Sequence, residues 1–215
     1  MAEGLFITLE GIDGCGKSTQ ARLLADALER TGAEVVMLRE PGGTRISEKI
    51  RTILLDPAND EMCDECELLL YEASRAQLVR EVIEPALERG AVVVCDRFYD
   101  STYAYQHGGR GLDETLVRSA NLLGSCGLAP TCTVVVDLAP EVALARATAF
   151  GADRLEGEGI AFQKRIREAY LSLARQEPGR IELIDGEGTP EMVYARLVGA
   201  LADLLPAPQR SDEEA

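Results

Sequence analysis

The densest chemistry in this chain lies in one short run: Gly11, Ile12, Asp13, Gly14, Cys15, Gly16, Lys17, Ser18 and Thr19. The run satisfies G-x-x-x-x-G-K-[ST], the P-loop pattern. Its glycines let the backbone curl so that N–H groups face a polyphosphate, and a helix starting there adds favourable partial charge. On this reading Lys17 bridges the terminal phosphates, Ser18 ligates Mg²⁺, and the stretch as a whole binds ATP. A chance glycine turn before a helix cap would require no particular flanks. Here an apolar run directly precedes the loop and a helical pattern directly follows it, as the mechanism demands.

What receives the phosphate must be sought elsewhere, because GTPases, motor ATPases and kinases share this loop. A GTPase would need an N-K-x-D base-reading motif, which the sequence lacks. Asp96 and Arg97 close another apolar run. Asp96 suits a water of a cation's shell and Arg97 a bidentate clamp on a phosphate monoester. A surface ion pair capping a strand would use the same two residue types. The segment after them, residues 98–106, mixes aromatics with hydroxyls, which fits base recognition or a packed helix start. Arg39 to Thr44 by itself reads as a Pro-Gly turn. Tyr71 and Arg75 stand four apart and share a helix face, which alone marks only boundary residues.

The elements that must position these groups alternate. Strand-like runs at residues 5–9, 35–38, 91–95, 133–136 and 181–184 are separated by helical patterns near 45–55, 61–89, 113–124, 140–149, 158–176 and 190–204. A further helix follows the glycine loop and stops at Thr31-Gly32. Such alternation predicts an α/β fold whose parallel sheet is covered on both faces. In such sheets ligands bind beyond the carboxyl ends of the strands, where the glycine loop, Arg39 to Thr44 and Asp96-Arg97 fall.

With 215 residues, the chain has room for one domain and a small movable insert. The 46% hydrophobic content suits a buried core and excludes disorder as the whole answer. A net charge of −15 argues against a general nucleic-acid binder, yet one basic cleft can sit in an acidic body. No stretch approaches about 20 uninterrupted apolar residues, so no membrane partner is expected. The start of the chain lacks the pattern of a secretory leader, which predicts a cytoplasmic protein whose six cysteines are thiols. Cys63 and Cys66 have metal-like spacing, but no second pair would complete a zinc site.

Taken in order, these pieces resemble the bacterial-type thymidylate kinases, a family of P-loop nucleoside monophosphate kinases. The resemblance runs from residue 5 to 186: the glycine loop, Arg39 to Thr44, Tyr71 to Gln77, Asp96-Arg97 with the segment to Gln106, and Asp153 to Glu156 as a lid. It implies a three-layer α/β/α fold with a five-stranded parallel sheet and a short helical lid. Residues 1–206 would form the single kinase domain with its lid near 146–158, and 207–215 an acidic tail. The reaction would be ATP + dTMP → ADP + dTDP with Mg²⁺, held by Ser18 and Asp96, in a homodimer. By position, Arg97 would hold the acceptor phosphate with Ser101 beside it, and Asp13 would lie near the sugar 3′-hydroxyl. Arg75 and Thr102 would bond the thymine edge with Gln106 nearby, and Tyr71 would stack on the ring. Tyr105 would crowd the 2′ position, while Arg51, Glu40 and Pro41 would line the pocket.

Some members of the family carry an arginine in the phosphate loop where Gly14 stands here, so the catalytic arginine is expected from the lid. Thr148 and Phe150 occupy lid positions where arginines are usual, leaving Arg146 and Arg154 to join Lys17 and Arg97 as catalytic groups. Lys164, Arg165 and Arg167 read instead as a solvated basic face. Two rivals use the same residues: a kinase of another monophosphate or of a nucleoside, and a nucleotide-binding regulator without turnover.

Overall fold

The computed structural model describes residues 4–147 and 158–205. Five strands, β1 (Leu5–Glu10), β2 (Val35–Arg39), β3 (Val92–Asp96), β4 (Cys132–Asp137) and β5 (Ile181–Asp185), form one parallel sheet in the order β2-β3-β1-β4-β5. Apolar, largely β-branched runs such as Val92-Val93-Val94 suit strands buried on both faces. Each expected strand is present, lengthened or shifted by one or two residues.

Successive residues of β1 serve opposite cores. Ile7 and Leu9 join Val94 against Leu24 and Leu28 of α1 (Lys17–Arg30) and Val193 and Leu197 of α9 (Pro190–Ala200). Phe6 joins Val93 and Cys95 against Leu78, Val79, Ile83 and Ala86 on the other face. Each such fully buried aliphatic side chain contributes about 2 kcal/mol. Two helices close the acceptor side: α2 (Arg45–Leu55), capped by Thr44 Oγ1, and α3 (Asp64–Leu78). The Ser47 hydroxyl donates to the Ser74 carbonyl at 2.9 Å and clips them together.

The expected helix 61–89 is not uniform. After α3 the chain widens into a π-helical turn, Val79–Ile83, and resumes as α4 (Glu84–Glu88) with Pro85 in its first turn. A second π segment, Tyr103–Gly109, extends α5 (Tyr99–Thr102) where the sequence reading left a helix start as one alternative. Gly108 and Gly109 are required there, because added Cβ atoms would meet Ala169 and the Phe162 ring at 2.5–2.6 Å. Those two residues belong to α8 (Ile160–Gln176), which lies against the π segment. Between them run α6 (Glu114–Gly124) and α7 (Pro140–Ala147). The lid positions Thr148, Phe150 and Arg154 and the tail 207–215 lie outside the described residues. No described helix is long and apolar enough to cross a membrane.

Candidate active site

β1, the central strand, ends at Glu10, and the chain turns at Gly11 (φ 138°) into the glycine loop. A Cβ at Gly11 would meet the Val136 carbonyl at 2.7 Å, so the turn needs glycine. Gly16, also left-handed at φ 98°, leads into α1. Lys17 is buried, its Nζ donating to the Ile12 carbonyl at 3.3 Å and lying 3.6 Å from Asp13. Ser18 and Thr19 are exposed at the start of that helix. Cys15 is packed in the core, and burial pushes its thiol up, so it is an inert filler of the loop.

β1, β2 and β3 bring their carboxyl ends to one cavity of about 270 Å³. Every residue expected to hold the acceptor lines it: Asp13, Glu40, Pro41, Arg51, Tyr71, Arg75, Arg97, Ser101, Thr102, Tyr105 and Gln106. Lys17, Ser18 and Asp96 line it too, as do Arg39, Leu55 and Phe98, which sequence reasoning did not assign. Arg146, exposed in the last turn of α7, does not.

At one end stands Arg97, at φ 74° in the left-handed region, a conformation costing a non-glycine residue about 1–2 kcal/mol. Its partner is Asp13, across the glycine loop, rather than the neighbouring Asp96 that a strand-capping pair would use. The guanidinium also donates to the hydroxyls of Ser101 at 3.0 Å and Tyr105 at 3.0 Å, and stacks 5.0 Å over the Tyr105 ring. The Tyr105 hydroxyl donates to Asp13 at 2.6 Å. Burial alone would raise the Asp13 carboxyl, but Arg97, then Lys17, overcome it and bring it down to about 2.

At the other end Arg75, only 1% exposed, is far from the boundary residue its spacing suggested. Its Nε donates to Glu40 at 2.8 Å, Nη1 to Glu72, and Nη2 to the Thr102 hydroxyl at 2.9 Å. The Phe98 ring supports the guanidinium at 5.3 Å. Burial first, opposed by Arg75 and aided by Glu72, lifts the Glu40 carboxyl to about 7. Gln106 donates to the buried Glu67 at 2.8 Å, and Arg51 to the Pro41 carbonyl at 2.9 Å.

Also lining the cavity, buried Asp96 keeps its Oδ1 without a hydrogen-bond partner among the described residues. An unsatisfied buried carboxylate oxygen is costly unless something fills its place. A hydrated divalent cation would do so, and the exposed Ser18 hydroxyl completes an oxygen donor set of the kind Mg²⁺ prefers.

The basic face expected at 164–167 is only partly solvated. Lys164 pairs with exposed Glu141, but Arg165 donates to the Gly109 carbonyl and Arg167 grips Asp137 with two hydrogen bonds. Arg165 is nonetheless exposed, and only Arg167 is partly buried. Sequence reasoning also missed Glu72, whose signal was its place three residues before Arg75 on the same helix face. Glu10, an acid ending an apolar strand, carried a signal of its own, whereas Tyr170 carried none.

The geometry thus sets a glycine loop of the P-loop pattern beside a cleft that holds Arg97 against Asp13 and Arg75 between Glu40 and Glu72. Comparison with known proteins places this arrangement. The thymidylate kinase family model matches residues 9–197. The chain belongs to the thymidylate kinase family. A thymidylate kinase of Pseudomonas fluorescens (strain SBW25) is 54% identical over 203 residues, covering 94% of this chain and 97% of the relative. Another, from Trichlorobacter lovleyi, is 44% identical over 211 residues, or 95% and 100% of the two chains. The crystal structure of thymidylate kinase from Ehrlichia chaffeensis superposes with a TM-score of 0.79 at 31% identity, covering 93% and 99%. The kinase fold, expected as a P-loop α/β/α layering around a five-stranded parallel sheet, is what this family member has.

Proposed function

We infer that the chain phosphorylates dTMP to dTDP with ATP as donor. The observation that carries this reading is the pairing of two arginines in one cavity next to the glycine loop, Arg75 fully buried and Arg97 partly so. Arg97 suits a phosphate monoester and Arg75 with Thr102 suits an uncharged base edge. A site built to hydrogen-bond a base discriminates strongly, since a wrong edge leaves buried polar groups unpaired.

The attacking group is an oxygen of the dTMP phosphate, already anionic, so the reaction needs no strong general base. The new bond forms between that oxygen and the γ-phosphorus as the β–γ bridging bond breaks and ADP leaves. The protein's task is in-line positioning and charge stabilisation. Arg97 fixes the acceptor phosphate, Asp13 and Tyr105 hold the Arg97 fork in place, and Tyr105 crowds a 2′-hydroxyl. Tyr71 stacks on the base, with Ser101, Gln106, Glu40, Pro41 and Arg51 shaping the pocket. Lys17 and the backbone of residues 11–19 bind the ATP phosphates. We assign Mg²⁺ to Ser18 and Asp96, where it supplies neutralising charge on the phosphate oxygens. Arg154, helped by Arg146, would bring further positive charge to the moving phosphoryl group.

We also propose one kinase domain over 1–206, a homodimer, and a cytoplasmic location. Exposed Leu69 on α3 and Leu122 and Leu123 on the adjoining α6 support the dimer as an apolar surface needing cover. All six cysteines are free, as a reducing compartment would keep them. The test is ADP release from ATP and Mg²⁺ with dTMP, dUMP or AMP as acceptor. Formation of ADP that depends on dTMP supports the reading. Faster turnover with AMP would reassign the acceptor, and tight binding without turnover would make the chain a nucleotide sensor.

A further inference from the structure

Glu10 ends β1 immediately before the glycine loop and is fully buried. Four hydrogens converge on its carboxylate. Oε1 accepts from the backbone amides of Phe98 at 2.7 Å and Ser101 at 3.2 Å. Oε2 accepts from the hydroxyls of Ser101 at 2.6 Å and Tyr170 at 2.7 Å. An ionised carboxylate only accepts, and about four lone-pair positions are available to it, so these donors satisfy it fully. Neither Glu10 nor Tyr170 lines the cavity.

The consequence falls on Arg97. With both hydroxyl hydrogens directed at Glu10, the oxygens of Ser101 and Tyr170 present lone pairs to the guanidinium. Nη1 donates to them at 3.0 and 3.4 Å. Hydroxyl hydrogens otherwise rotate freely. The two hydroxyls stand 2.9 Å apart, so without the carboxylate one would turn its hydrogen to the other, and the two lone-pair directions that Arg97 meets would no longer be fixed. Glu10 also anchors the amide that directly follows the left-handed Arg97, so it holds the backbone of the clamp as well as its side chain.

We propose that Glu10 and Tyr170 are positioning residues for the acceptor phosphate, fixing the Arg97 guanidinium through two oriented hydroxyls without touching the nucleotide. The inference rests on Arg97 being the clamp for that phosphate.

Calorimetric titration of the full chain with dTMP and with thymidine tests it, because thymidine lacks the group Arg97 receives. Tyr170→Phe should bind dTMP about tenfold more weakly, the scale of one hydrogen bond in a charged network. Thymidine binding should be unchanged, and the KM for dTMP should rise while that for ATP does not. Glu10→Gln should show the same split, and if it fails to fold, Tyr170→Phe still decides. In an Arg97→Ala background Tyr170→Phe should add no further loss. Equal weakening of dTMP and thymidine would reveal a merely structural role and overturn the proposal, as would unchanged dTMP binding. A full additional loss without Arg97 would also overturn it. If Arg97→Ala itself binds dTMP normally, the clamp reading falls and takes this proposal with it. If only Tyr170→Phe is silent, the proposal falls alone.

Discussion

The two ends of the cavity are built from the same parts and behave oppositely. Each holds an arginine against carboxylates, fully buried for Arg75 and partly buried for Arg97, yet Asp13 is brought down to about 2 while Glu40 is lifted to about 7. The difference is arithmetic of local charge. Asp13 faces two cations, Arg97 and Lys17, so its ionised form is favoured despite burial. Glu40 shares one guanidinium with Glu72, so two carboxylates compete for a single cation in a water-poor pocket. One end therefore keeps positive charge available for an anion. The other tends toward neutrality, which suits an uncharged base. Similar residue types settle into opposite charge states according to how many charges surround them.

The strongest way to break this contrast is to remove the clamp. Arg97→Ala should lower kcat/KM for dTMP about 10³-fold, the scale of losing one member of a largely desolvated charged pair, while the KM for ATP changes little. Steady-state kinetics with each substrate varied would show it. An Arg97→Ala enzyme with near-native kcat/KM would place the phosphate elsewhere.

Removing the other arginine should act on the fold as well as on selectivity. Arg75→Met leaves Glu40 and Glu72 buried without a cation, at a cost of about 3–5 kcal/mol in denaturant unfolding. The preference for dTMP over dCMP should shrink in parallel. Adding Glu72→Gln to that variant should recover part of the stability, since it removes one of the stranded charges.

Acid and base should pull the two ends in opposite directions. Glu40, raised in the folded state, contributes stability that is fully present below its unfolded value near 4.5 and is lost as pH rises through about 7. That contribution is at most about 3 kcal/mol. Asp13 has the reverse sign: its contribution, about 2 kcal/mol, is present above 3.8 and is lost as pH falls through about 2. Unfolding free energies measured between pH 5 and 8 should decline for the native chain and lie flatter for Glu40→Gln. A native profile as flat as the variant's would contradict the crowding argument.

Smaller effects sharpen the picture. Tyr105→Phe loses the hydroxyl that donates to Asp13 and accepts from Arg97, and should raise the KM for dTMP about tenfold. Discrimination against the ribonucleotide should survive, because the ring remains. Least of all, Arg89→Ala should change stability by under about 0.5 kcal/mol in thermal unfolding. Its partner Glu34 and Arg89 itself are each about half exposed, where water and salt screen the pair. A loss comparable to that of Arg75→Met would mean burial is not what separates these pairs.

Much of this architecture is local and hence legible in the chain. The glycine loop needs only its own residues, and its flanks betray a strand and a helix by periodicity alone. The inner strands β1, β3 and β4 announce themselves as short apolar runs, because a parallel strand buried on both faces has no polar side to disguise it, whereas the edge strands β2 and β5 are partly exposed and β5 mixes Glu182 into its run. The π segment at Tyr103–Gly109 showed in the sequence only as one of two alternatives, a packed helix start, since a wider turn breaks the 3.6-residue spacing by which helices are read. It also carries Tyr105 and Gln106 into the cavity.

The sequence by itself determined the phosphate loop, the order of strands and helices, and which residue types collect at carboxyl ends of strands. These depend on short-range backbone preference and on burial patterns of period two or 3.6. Only the tertiary structure decided that Arg75 sits between Glu40 and Glu72, that Asp13 and not Asp96 answers Arg97, and that Glu10 meets Tyr170 across 160 residues of chain. The physical reason is that a buried charge is set by every group packed around it, and those neighbours come together only when the sheet places β1 between β3 and β4.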